Sequence, residues 1–202
     1  SKVSARRAVS AGWMRWAIVI ATGISTAAMA VLSTHMLSAA VIAIRLRSRR
    51  ANWPPLLAMA LMAAPGFEKE DAARAAVQRA LEFTLKGLDH PLMSPTDYDA
   101  GYDVRGWGYT YALAFMLKAK ERGQVADANK EAVEKAIRWC IDALAKTEIP
   151  QVGGWNYARP PGKDKVAPPS PFMTAPTLQA LFEAKKAGYE VDAGVVGRAL
   201  DY

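Results

Sequence analysis

Few residues in this 202-residue chain combine the type and spacing that chemistry demands. Asp97, Asp99 and Asp103 crowd one stretch between two apolar helical patterns. A carboxyl acts as a general acid only where burial or a neighbouring carboxylate raises its pKa. A turn of solvated aspartates supplies neither, so helix capping is expected of them and no catalytic residue is assigned. Cys140 is the single cysteine, which excludes an intrachain disulfide and a cysteine-based zinc site. Its apolar helical surroundings predict a buried structural thiol. His35 and His90 are the two histidines, far apart, and no metal-ligand set assembles around either.

His35 is the one ionisable side chain between Trp16 and Ile44. An imidazole in so apolar a stretch needs a partner. Axial ligation of a heme or chlorophyll by neutral imidazole would provide one, and a hydrogen bond to a neighbouring helix would provide another. The aromatic series Trp107, Tyr109, Tyr111, Trp155 and Tyr157 has two readings as well. These rings could line a cavity of prenyl or carotenoid size, or they could pack helical hairpins together. Packing is the simpler role.

The elements that must position these groups fall into two parts. Residues 1–51 read as a basic N-terminal segment with a transmembrane anchor. The 29 residues from Trp16 to Ile44 would span roughly 44 Å as a helix, more than the ~30 Å of a bilayer core. Small residues there permit close helix approach, and Trp13 and Trp16 sit where interfacial anchors belong. Arg6, Arg7 and Arg15 precede the span, and Arg45, Arg47, Arg49 and Arg50 follow it. Such flanks suit anionic headgroups. The net charge of +7 therefore points to membrane lipid and other transmembrane subunits as partners. No basic surface interleaved with aromatics points to nucleic acid. A signal peptide with Ala28-Met29-Ala30 as its cleavage site competes with the anchor. The expected location is a membrane, the bacterial inner membrane by preference. The two basic flanks nearly tie, leaving the side of the remaining domain open.

Residues 52–202 carry an internal repeat. Arg79-Ala80-Leu81-Glu82-Phe83, Lys135-Ala136-Ile137-Arg138-Trp139 and Arg198-Ala199-Leu200-Asp201-Tyr202 share one pattern at steps of 56 and 63 residues, and read as a recurring helix end. In the second copy Ala132, Val133, Ala136, Ile137, Cys140, Ile141 and Leu144 form an apolar stripe at helical spacing. A more apolar helix precedes each copy: Pro54–Ala64, Gly106–Arg122 and Phe172–Gly188. The unit is an inner helix and an outer amphipathic helix, and a lone hairpin cannot bury its own face. Long irregular stretches, Asp89–Arg105 and Thr147–Pro171, join the hairpins.

On three stretches the chain resembles the prenyltransferase and squalene-oxidase (squalene-cyclase-like) repeat of the α/α-toroid superfamily. Gln151-Val152-Gly153-Gly154-Trp155-Asn156-Tyr157 is similar to a shortened QW motif. Gly106-Trp107-Gly108-Tyr109-Thr110-Tyr111-Ala112-Leu113 and Ser170–Leu181, followed by Ala187-Gly188-Tyr189, are similar to inner helices of that repeat. The resemblance implies an all-α fold with about three hairpins forming part of a toroid, whose inner helices ring a cavity. Complete toroids have about five to seven hairpins, so this arc would continue beyond Tyr202 or be closed by a partner. Cyclases of the family protonate substrate through Asp-x-Asp-Asp, and Asp97-Tyr98-Asp99-Ala100 lacks the adjacent pair. The zinc trio of Asp, Cys and His in its protein prenyltransferases is missing too. The expected function is a membrane-anchored accessory or scaffold subunit whose toroid arc is a protein-interaction module. The alternative is a membrane-bound terpenoid cyclase or prenyltransferase-like enzyme whose catalytic motif lies outside this chain.

Overall fold

The computed structural model describes residues 53–95, 105–149, 152–156 and 168–201. Six α-helices run through them: α1 Trp53–Ala63, α2 Asp71–Leu88, α3 Arg105–Glu121, α4 Lys130–Lys146, α5 Pro171–Lys186 and α6 Ala193–Leu200. Short 3-10 turns at Phe67–Lys69, Pro91–Met93 and Asp127–Asn129 sit between them, and no strand occurs among the described residues.

Glycine closes the inner helices where the chain must turn back. Gly123 and Gly188 have φ of 63° and 91°, the left-handed conformation that glycine adopts without a Cβ penalty. Both sit in the same cap. Gln124 N–H donates to Ala119 O at 2.7 Å and Gly123 N–H to Lys120 O at 3.0 Å. Tyr189 N–H donates to Ala184 O at 3.1 Å and Gly188 N–H to Lys185 O at 3.0 Å. These are the paired bonds of a Schellman motif, which satisfy carbonyls the helix end would otherwise strand. Each bond of the second set lies 65 residues after its counterpart, so the two turns are structural copies.

The inner helices α1, α3 and α5 lie side by side with α3 in the middle, and the outer helices α2 and α4 back them. α6 packs on α5. The α3–α5 seam is parallel and in register. A Cβ on Gly106 would meet Met173 Cε at 3.4 Å, and one turn on, the buried hydroxyls of Thr110 and Thr177 hydrogen-bond at 2.9 Å. Leu113, Phe115, Met116, Ile137 and Leu144 are fully buried beneath them. Cys140 is buried as well, and the loss of hydration pushes its thiol far above the ordinary range. That environment suppresses thiolate chemistry.

Two expectations require correction. The first is the membrane-anchored fold and the membrane location that accompanied it. Among the described residues no helix is long and apolar enough to cross a membrane. The most apolar, α1, has 11 residues and reaches about 17 Å. The longest, α2, carries Asp71, Arg74, Arg79, Glu82 and Lys86 on its outward face. The described residues are accordingly all-helical, with no spanning segment among them. Trp16–Ile44, with His35, lies outside the described residues. The second correction concerns the repeated pentapeptide. It falls in the middle of α2 and α4 and closes the helix only in α6. Ala132 is exposed and Ala136 half-buried, so the stripe on α4 is narrower than its sequence pattern.

Two glycine substitutions separate the turn from the helix. Gly123→Ala forces a side chain into the left-handed region and should cost about 1–2 kcal/mol. Gly197→Ala, inside α6 with nothing within 4 Å of its Cβ position, should stabilise by roughly 0.5–1 kcal/mol. Urea denaturation of both variants reads the opposite signs.

Candidate functional site

The five aromatics of the sequence pattern do not share one environment. Tyr109 is fully buried. Its hydroxyl donates to Met93 O at 2.7 Å, and its ring meets Trp139 edge-on with centroids 5.4 Å apart. A Cβ on Gly108 would come within 2.8 Å of Met93 Cε, the free end of a flexible side chain. Trp155 is also buried, and its Nε1–H donates to Leu144 O at 2.8 Å. Its own backbone N–H donates to Thr174 Oγ1, and that hydroxyl donates to Trp155 O, each at 3.1 Å. A Cβ on Gly154 would come within 2.9 Å of Thr174 Oγ1, which explains a glycine before the tryptophan. Both rings tie a connecting loop to a helix. Tyr157 lies outside the described residues, as do Asp97, Asp99 and Asp103.

Trp107 and Tyr111 are different. Their rings stack at 5.5 Å between centroids and 11° between planes, and both are half-buried. Among the described residues they lie on the side of α3 away from α1, α4 and α5, with Ala114, Lys118 and Glu121 at helical spacing along one stripe, where Glu121 is exposed and the others are half-buried. Moving 65 residues on, the step that relates the two glycine turns, gives Phe172, Pro176, Gln179, Glu183 and Lys186 of α5. All five are exposed or half-buried, and Phe172 is 80% exposed. At the C-terminal end the two stripes share a groove of about 530 Å³ bordered by Lys118, Glu121, Glu183 and Lys186. Lys118 pairs with Glu121 at 2.6 Å, and this neighbour holds the Glu121 carboxyl below its usual range. The surface is thus aromatic at one end and of mixed charge at the other.

A polar cluster that sequence reasoning missed fixes the edge of this surface. Glu134 of α4 accepts from Lys120 of α3 and from the Tyr189 hydroxyl at 2.9 Å. Lys120 Nζ also donates to Tyr189 at 2.6 Å and lies 4.9 Å from its ring centroid. The hydrogen bond from Lys120 lowers the Glu134 pKa, and the one to Glu134 raises that of Lys120. Burial, as the leading cause, raises the Tyr189 phenol. The first junction has a counterpart, in which Gln78 of α2 donates to Gln124 O. Gln124 and Tyr189 each follow the turn glycine, and that repeated position was the available signal.

Among the described residues no group of three or more His, Cys, Asp or Glu side chains could hold a metal ion. Comparison with protein-family models, with curated proteins and with solved structures finds no match.

The clasp carries a pH signature. Glu134 has a depressed folded pKa, so its contribution is fully present above the unfolded value of about 4.3 and disappears as pH falls through the folded one. The difference in urea midpoint between the wild type and Glu134→Gln should be present at neutral pH and close below pH about 4. A gap unchanged down to pH about 2 would contradict the clasp.

Proposed function

We propose that this chain is an accessory or scaffold subunit of a larger assembly, with its stack of hairpins, built like part of an α/α toroid, serving as a protein-interaction module. The repeated open stripe carries the reading. Among the described residues, equivalent positions on α3 and α5 are half-buried or exposed while the other sides of α3 are packed. These positions hold Trp107 and Tyr111, both half-buried, and Phe172, 80% exposed. Stacked, pre-ordered aromatics are efficient anchors because little side-chain freedom remains to be lost on contact. The charges of Lys118, Glu121, Glu183 and Lys186 at the far end can set the orientation of a partner more than they add affinity. Tyr109 and Trp155 take no part, being consumed in holding loops.

A photo-crosslinking residue at Ala114 or Gln179, in the tagged chain expressed in its own cells, should capture a discrete partner polypeptide. Trp107→Ala combined with Tyr111→Ala should cut recovery of that partner at least about tenfold with an unchanged far-ultraviolet spectrum. A solitary chain that binds and turns over a polyprenyl diphosphate at this stripe would instead make it an enzyme surface.

A further inference from the structure

The third hairpin, residues 168–201, turns its largest apolar side chains outward. Phe172 is 80% exposed, Leu200 59% and Phe182 47%. What α5 buries is mostly small: Thr174, Thr177, Ala180 and Ala184, with Met173 and Leu181. Helix α6 buries Val195 and Ala199. The packing of α3 on α4, by contrast, draws on Tyr109, Phe115, Ile137 and Leu144. Apolar stabilisation scales with the area removed from water, so less of it holds the third hairpin in place.

Two carboxylates of the second hairpin take up the attachment. At the closing turn of α5, Glu134 of α4 accepts from the Tyr189 hydroxyl at 2.9 Å. At the opposite end Glu148, just past α4 and with its side chain 8% exposed, accepts from Arg198 of α6. That pair is bidentate, with Nε at 3.0 Å and Nη2 at 2.6 Å. Trp155 bonds Thr174 but keeps its own tie to Leu144 O, so the connecting loop can stay on α4 if the hairpin leaves. Directional bonds of this kind are lost together once a helix shifts. A segment with few large buried apolar contacts opens at a lower free energy than the core around it.

We propose that the third hairpin is a separate opening unit, which docks on and leaves α3 while the first two hairpins stay folded, and that Glu134 and Glu148 are the carboxylates that hold it. Undocking breaks the Thr110–Thr177 bond and parts the α3 and α5 halves of the stripe. The inference does not rest on that stripe having a partner.

Native-state hydrogen exchange of the full chain in low urea, read peptide by peptide, tests it. Amides of α5 and α6 should exchange at least about tenfold faster than those of α2 and α4, with a shallower dependence on urea. Val77→Ala, in the buried face of α2, weakens packing that undocking leaves intact. It should speed exchange in α2 about tenfold and leave α5 and α6 unchanged. Glu148→Gln and Glu134→Gln should each speed exchange in α5 and α6, the former about tenfold. An equal effect of Val77→Ala on every helix, or one urea slope shared by α2 and α5, would make the hairpins a single cooperative unit and overturn the proposal. Exchange in α5 and α6 that is indifferent to both glutamine variants would overturn it as well, because the carboxylates would then hold nothing.

Discussion

The parallel seam between α3 and α5 is the contact on which the remaining geometry depends. Thr110 and Thr177 are both buried and bond each other, so neither hydroxyl is left stranded in the apolar interior, where an unmet polar group is costly. Thr177 also donates to Met173 O at 2.8 Å. A slip of one residue along either helix would separate these groups and turn apolar side chains away from one another. The pair therefore selects one register out of several that would bury similar area.

From that register the outer features follow. Because α5 lies parallel to α3, its closing turn arrives beside the start of α4, and Tyr189 meets Glu134 and Lys120. At the opposite end the loop after α4 reaches the start of α5, where Trp155 bonds Leu144 O and Thr174. Each hairpin is thus pinned to the previous one at both ends. Buried methyl and ring surface supplies most of the stabilisation, while the polar pins choose among the packings that surface would allow.

Such a stack hides its helices unequally. Among the described residues the middle helix α3 is packed on three sides, and the fourth is a narrow, mostly half-buried stripe. Rigid neighbours hold the residues of that stripe in place, which is the condition for a pre-ordered contact surface. Small side chains serve the outer layer differently: Ala132 and Ala136 leave room between helices that bulkier residues would have filled. Glycine serves close approach at Gly153, which faces the Arg198 carbonyl, and at Gly154, which faces Thr174 and Pro169.

Local physics was legible in the chain itself. Helical periodicity placed the hairpins, Pro65-Gly66 ended the first inner helix, and the setting of Cys140 announced a buried thiol. The repeated pentapeptide announced a second and third copy, although it marks the middle of α2 and α4. All of these depend on neighbours within a few turns, which the sequence encodes directly. Composition alone also suggested a spanning helix, an inference that no described helix sustains. How deeply each aromatic is buried was decided elsewhere: Tyr109 and Trp107 are two residues apart, and the packing of α1, α4 and α5 buries Tyr109 fully and leaves Trp107 half-buried. The clasp at Glu134 and the groove between α2 and α4 likewise join residues dozens of positions apart. Their meeting is set by the register of packed helices, a cooperative property of the whole stack that no single segment carries.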